Sequence, residues 1–137
     1  MKTESLFVDT NVLVYLFDLD EPEKKAVAET LFRDHSDIRL STQVLQEFYV
    51  TVTRKLGRPM DPRQALDAVA HFAVYPVAVI SQELVLKAIG RSIDSRISLW
   101  DGLILETALA QRADLLVTED LQDGWKIGSM RVWNPFG

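Results

Sequence analysis

Short apolar runs alternate with longer stretches of helical periodicity along the whole chain, and this restricts the fold more than any other feature. Leu6-Phe7-Val8, Ile38-Arg39-Leu40, Pro76-Val77-Ala78-Val79-Ile80, Leu115-Leu116-Val117 and Met130-Arg131-Val132-Trp133 read as strands. Runs without polar alternation are buried on both faces, the condition of parallel strands covered by helices on either side. Helices are expected between them. One carries Leu13, Val14, Leu16 and Phe17, with Asn11 as its cap. Another starts at Pro22, and a third is capped by Ser41 or Thr42 and ended by Gly57. Asp61-Pro62 and Ser81 open two more, and Ser98 with Asp101 resembles a capping box. The expectation is a three-layer α/β/α domain around a parallel sheet of about five strands. At 137 residues, with no repeat or linker, the chain reads as a single domain over 1–137.

Composition removes several function classes. There is no cysteine, hence no disulfide framework, thiolate zinc site or cysteine nucleophile. The net charge of −5 does not suit a general nucleic-acid-coating protein. No apolar run approaches the roughly 20 residues of a membrane span, and the opening Met1-Lys2-Thr3-Glu4-Ser5 lacks a signal-peptide layout. A soluble cytoplasmic domain is expected. Of the two histidines, His71 reads as structural among apolar neighbours and His35 as a helix-end or loop residue.

Four carboxylates stand where a solvated surface does not explain them. Asp9 ends the first strand, and Asp120 lies just beyond the fourth. The two share one crevice at the carboxyl ends of the strands if strands one and four are neighbours, as in a 3-2-1-4-5 order. Glu47 sits at the margin of an apolar helix face, and Asp101 in the first turn of its helix, on the side of Ile104 and Leu105. Each has an ordinary reading alone: Asp9 and Asp101 as caps, Glu47 as a solvated residue, Asp120 as turn chemistry. Together they carry a cost. Two like charges about 5 Å apart repel by roughly 3 kcal/mol at an effective dielectric of about 20. A converging set must therefore protonate or bind a cation, and an all-oxygen set selects Mg²⁺ or Mn²⁺ over Zn²⁺.

Phe7-Val8-Asp9-Thr10-Asn11 before an apolar helix, Glu47, Leu99-Trp100-Asp101 and Leu116-Val117-Thr118-Glu119-Asp120-Leu121 together resemble PIN-domain ribonucleases. In particular they look like the VapC-like toxins of bacterial and archaeal toxin–antitoxin pairs. The resemblance covers nearly the whole chain. It implies the 3-2-1-4-5 sheet with the acids at its carboxyl edge, and a metal-dependent endoribonuclease using Mg²⁺ (or Mn²⁺). Carried over by position, Asp9, Glu47, Asp101 and Asp120 are the metal-binding acids, supported by Thr10, Asn11 and Thr118. Glu119 and Asp123 stand nearby without separable roles. Leu121-Gln122-Asp123-Gly124-Trp125 departs from the basic or polar tail of many relatives.

The resemblance also implies an RNA substrate, an antitoxin that covers the acids and a homodimer. Arg54, Lys55, Arg58, Arg91 and Arg96 are the candidate RNA-binding cations, against the plain reading of solvated helix ends. Trp125, Trp133 and Phe136 either stack on bases or close the edge of the core. Helix faces with Leu16, Phe17, Ala28, Leu31 and Phe32, or with Phe48 and Val52, offer partner surfaces or core. Two other functions compete. A covalent phosphotransfer domain uses a strand-end aspartate, but the phosphatase version needs an acid at position 11, where Asn stands, and a receiver needs paired acids where Leu6-Phe7-Val8 lie. A PIN-fold module that binds RNA or protein without turnover is the other alternative.

Overall fold

β1 (Ser5–Val8) and β4 (Leu115–Val117) run parallel and adjacent, Leu6 opposite Leu115 and Val8 opposite Val117. This computed structural model describes residues 3–137; Met1 and Lys2, where the expected leaderless opening begins, lie outside them. The sheet order is β3-β2-β1-β4-β6-β5, with β2 at Asp37–Ser41, β3 at Val77–Ala78, β5 at Lys126–Ile127 and β6 at Met130–Trp133. The five expected strands thus lie in the expected order, β6 being the fifth. The correction is a sixth strand at the edge: β5 pairs antiparallel with β6. Two residues with one apolar side chain carry no strand signal; a hairpin through Gly128 at φ 60° makes it. β3 is also shorter than Pro76–Ile80, because at this edge only Val77 and Ala78 pair with β2 and Val79 is exposed.

Leu6, Phe7, Val8, Leu116 and Val117 are fully buried, as strands covered on both faces must be. The helices are α1 (Thr10–Tyr15), α2 (Pro22–Asp34), α3 (Thr42–Arg54), α4 (Pro62–Phe72), α5 (Gln82–Ser95) and α6 (Leu99–Ala110). Ser41, Asp61, Ser81 and Ser98 cap their helices through their side chains, as expected. Two expectations fail. Asp9, not Asn11, caps α1, because its carboxylate already accepts the first free N–H, from Thr10 at 2.7 Å. Gly57 does not end α3, which stops at Arg54 without a left-handed glycine.

Phe17, Phe48 and Phe72 meet edge-to-face, with centroids 5.2–6.2 Å apart, and join the turn after α1 to α3 and α4 in one core. Ala28, Leu31, Phe48 and Val52 are buried there, and Leu16, Phe17 and Phe32 pack against it, so these faces are core and not partner surfaces. Exposed apolar residues lie instead on α5, at Val85, Leu86, Ile89 and Ile93. Trp125, Trp133 and Phe136 close the core edge. His35 ends α2 and lies against Trp133; His71 is exposed on the last turn of α4, not enclosed by its apolar neighbours. Among the described residues no helix is long and apolar enough to cross a membrane.

Gly102 sets how closely α6 approaches α5. A Cβ there would lie 2.8 Å from the Ala88 carbonyl oxygen, which as backbone has little room to yield. Gly102→Ala is expected to lower stability by about 1–3 kcal/mol, read as a fall in the thermal midpoint.

Candidate active site

The parallel pairing of β1 with β4 puts two chain ends at one edge. The Asp9 N–H continues the ladder by donating to the Val117 carbonyl at 3.0 Å, so Asp9 and Thr118 emerge side by side. Thr118 is fully buried, and its hydroxyl donates to Asp9 Oδ2 at 2.8 Å while accepting the Asp120 N–H at 3.0 Å. One hydroxyl therefore holds the end of β1 to the start of the loop after β4. Asn11, in the first turn of α1, donates from Nδ2 to Asp120 Oδ2 at 3.0 Å. Thr10, its neighbour, donates from Oγ1 to Glu47 Oε1 at 3.2 Å. Ser98 caps α6 by accepting the Asp101 N–H at 3.0 Å, which leaves the Asp101 side chain free of the capping task.

The electrostatics tie the four acids together. Asp9 feels the charges of Asp120 and Glu47, and Asp101 acts on both Glu47 and Asp120. Burial pushes the Asp9 carboxyl from 3.8 up to about 7, against the Thr118 and Thr10 hydrogen bonds that hold it down; the neighbouring charges push it further up. Glu47 is raised chiefly by burial, opposed by the Thr10 and Gln43 hydrogen bonds. Asp120 is raised by burial and then by Asp101, with Asn11 opposing. Among the described residues no lysine or arginine forms an ion pair with any of the four.

Among the described residues no three His, Asp or Glu side chains form a ready metal cage. The donor set nevertheless fits a hard divalent ion, being all oxygen and uncompensated. A further oxygen agrees: Asn11 Oδ1 is buried without a hydrogen-bond partner beside Asp120.

The PIN domain family model matches residues 6–122, from β1 through the loop that carries Asp120. The chain belongs to the PIN domain family. No curated protein matches it. Among solved structures, the toxin–antitoxin complex from Klebsiella pneumoniae shares this PIN fold at TM-score 0.71 and 22% identity, over 96% of this chain and 98% of that one. VapC20 of Mycobacterium tuberculosis, a sarcin–ricin loop cleaving toxin, gives 0.68 and 21%, over 82% and 87%. VapBC2 of Rickettsia felis, bound to a promoter DNA fragment, gives 0.63 and 20%, over 94% and 98%. At these identities the likeness is one of fold.

The other sequence candidates divide. Glu119 accepts from Tyr15 Oη and pairs with Lys24 at 3.2 Å, while its charge also helps to raise Asp120; Asp123 Oδ1 accepts the Asn134 N–H at 2.9 Å. Of the cations, Lys55 lines the groove that Glu47 borders. Arg91 is held by Glu106 at 3.0 Å, Arg58 faces Asp20 at 3.5 Å, and Arg96 ends α5 in a left-handed conformation. Arg54 lies exposed in the last turn of α3. Sequence reasoning missed Gln43. Its side chain is 5% exposed, hydrogen-bonds Glu47 and donates to the Trp100 carbonyl at 3.2 Å, tying α3 to α6. The available signal was its position one turn before Glu47, on the buried side of α3 next to Val44.

Proposed function

We propose that this PIN domain is a metal-dependent endoribonuclease, the toxin of a toxin–antitoxin pair acting in the cytoplasm. The observation that carries the reading is the electrostatic coupling among Asp9, Glu47, Asp101 and Asp120 beyond the carboxyl ends of β1 and β4, with no lysine or arginine ion-paired to any of them among the described residues. These four would hold one or two Mg²⁺ or Mn²⁺ ions, which supply an activated water and stabilise the leaving oxygen. The remaining residues serve that set. Thr118 and the Thr10 N–H favour the ionised form of Asp9 against burial, the Thr10 hydroxyl orients Glu47, and Asn11 orients Asp120. The fold likeness to toxins in antitoxin complexes supports a protein antitoxin as partner, and a homodimer is proposed with it.

The direct test is single-stranded RNA incubated with the purified protein in Mg²⁺, in Mn²⁺ and in excess chelator. Cleavage in metal, its loss in chelator and fragments without a 2′,3′-cyclic phosphate are expected. Cyclic phosphate ends would point to attack by the RNA's own hydroxyl and overturn the reading. Binding without cleavage would favour the non-catalytic module.

Thr118→Val leaves all four acids in place but removes the hydroxyl that favours ionised Asp9. Loss of such a support typically costs about 10- to 100-fold in activity. The half-maximal pH for cleavage should also move upward, because Asp9 then ionises less readily. A Thr118→Val enzyme with the wild-type rate and pH profile would remove Thr118 from the site.

A further inference from the structure

Beside Glu47, a groove of about 460 Å³ runs along α3 to Lys55, with Trp100 among the residues that line it. Thr51 lines both this groove and the recess beside Thr10, Asn11 and Asp120, so the two adjoin across α3. Trp100 is 61% exposed, although an indole is the largest apolar surface a side chain offers. Its position is fixed: it lies in the first turn of α6, one residue before Asp101, and its carbonyl accepts from Gln43 Nε2. Gln43 itself is buried, and its Oε1 has no hydrogen-bond partner. At the other end Lys55 is exposed and in no ion pair among the described residues.

We infer that this groove takes one unpaired nucleobase of an RNA strand, stacked on Trp100, with Lys55 against the adjoining phosphate. The inference rests on the nuclease reading and extends it from the acids to the strand they act on. An exposed indole on an anchored stretch of backbone is a stacking platform for any base, and a lone ammonium suits a phosphate as a point charge. An acidic protein has to place positive charge locally to hold RNA, and Lys55 supplies it without passing the four acids. The base must leave a helical stack to enter, so a single strand should bind better than the duplex of the same sequence.

The test uses the full chain carrying Asp9→Asn, so that the RNA survives, with a short fluorescein-labelled single-stranded RNA in Mg²⁺, read by anisotropy. Adding Trp100→Ala should weaken binding by about tenfold or more, the worth of one stacked base, while Trp100→Phe keeps most of it. Lys55→Ala should weaken binding and reduce the salt slope by about one. Unchanged affinity in Trp100→Ala overturns the subsite, as does a change in its oligomeric size with RNA affinity intact, which would make Trp100 a protein contact. Cleavage by the chain with native Asp9, at a KM that Trp100→Ala does not alter, removes the subsite and keeps the nuclease reading. A native chain that neither binds nor cuts RNA removes both.

Discussion

Asp9→Asn is expected to reduce RNA cleavage at least about a hundredfold while leaving the domain folded. The lower bound comes from metal sites in general: changing only a group behind a ligand typically costs about 10- to 100-fold, and Asp9 stands in the proposed ligand set itself. Its geometry argues for more. Asp9 is the deepest of the four, 5% exposed, with Oδ1 accepting from the Thr10 N–H and Oδ2 from the Thr118 hydroxyl. An amide there has one acceptor oxygen instead of two and presents N–H groups where a cation would need an electron pair. Asn keeps the volume and can retain the Thr10 cap, so the loss should not come from unfolding. Asp101→Asn provides the comparison at another of the four acids, whose side chain does no capping. Cleavage rates in Mg²⁺ at fixed pH, beside thermal midpoints, separate the two effects. A folded Asp9→Asn protein that cuts RNA at the native rate would end the proposal.

Much of this arrangement was legible in the residues because a few strong local signals agreed. Leu6-Phe7-Val8 and Leu115-Leu116-Val117 have no polar alternation, which only a two-sided covering satisfies, and a parallel order then brings their carboxyl ends together. The serine caps of α3, α5 and α6 each appear as a hydroxyl three residues ahead of the N–H it accepts. The misses occurred where tertiary contacts decide. β5 exists because the Gly128 hairpin folds Lys126–Ile127 back on β6, and Val79 is outside the edge strand because β2 ends before it can be paired. Gln43 is a polar residue in a helix; its place one turn before Glu47 and next to Val44 marks its side of α3, but it is the approach of α6 that buries it while Gln46 stays exposed. The acids followed the same division. Their order along the chain pointed to one site, but the balance of burial, hydrogen bonds and neighbouring charges that raises their carboxyls is one that no local pattern records.

That balance predicts an unusual dependence of stability on pH. A carboxyl raised from 3.8 to about 7 binds more protons in the folded than in the unfolded protein throughout that interval. Stability must therefore fall as pH rises from about 4 to about 7 and level off above, opposite in sign to a salt-bridged aspartate. At about 1.4 kcal/mol per pH unit the Asp9 contribution is about 4 kcal/mol, a large part of the 5–15 kcal/mol typical of a domain. Glu47 and Asp120 are raised in the same direction and add to the slope. Two controls isolate the cause. Asp9→Asn should flatten most of the decline and exceed the native chain in stability at pH 8 without metal. Mg²⁺ or Mn²⁺ should restore the native chain at pH 8, by about 2.7 kcal/mol at a hundredfold excess over its dissociation constant, and far less at pH 5, where Asp9 must first give up its proton. Thermal midpoints of both proteins from pH 4.5 to 8, with and without metal, provide the measurement. A native chain that gains stability with rising pH in chelator, or metal shifts of equal size at pH 5 and pH 8, would mean that Asp9 is neither protonated at rest nor involved in metal binding.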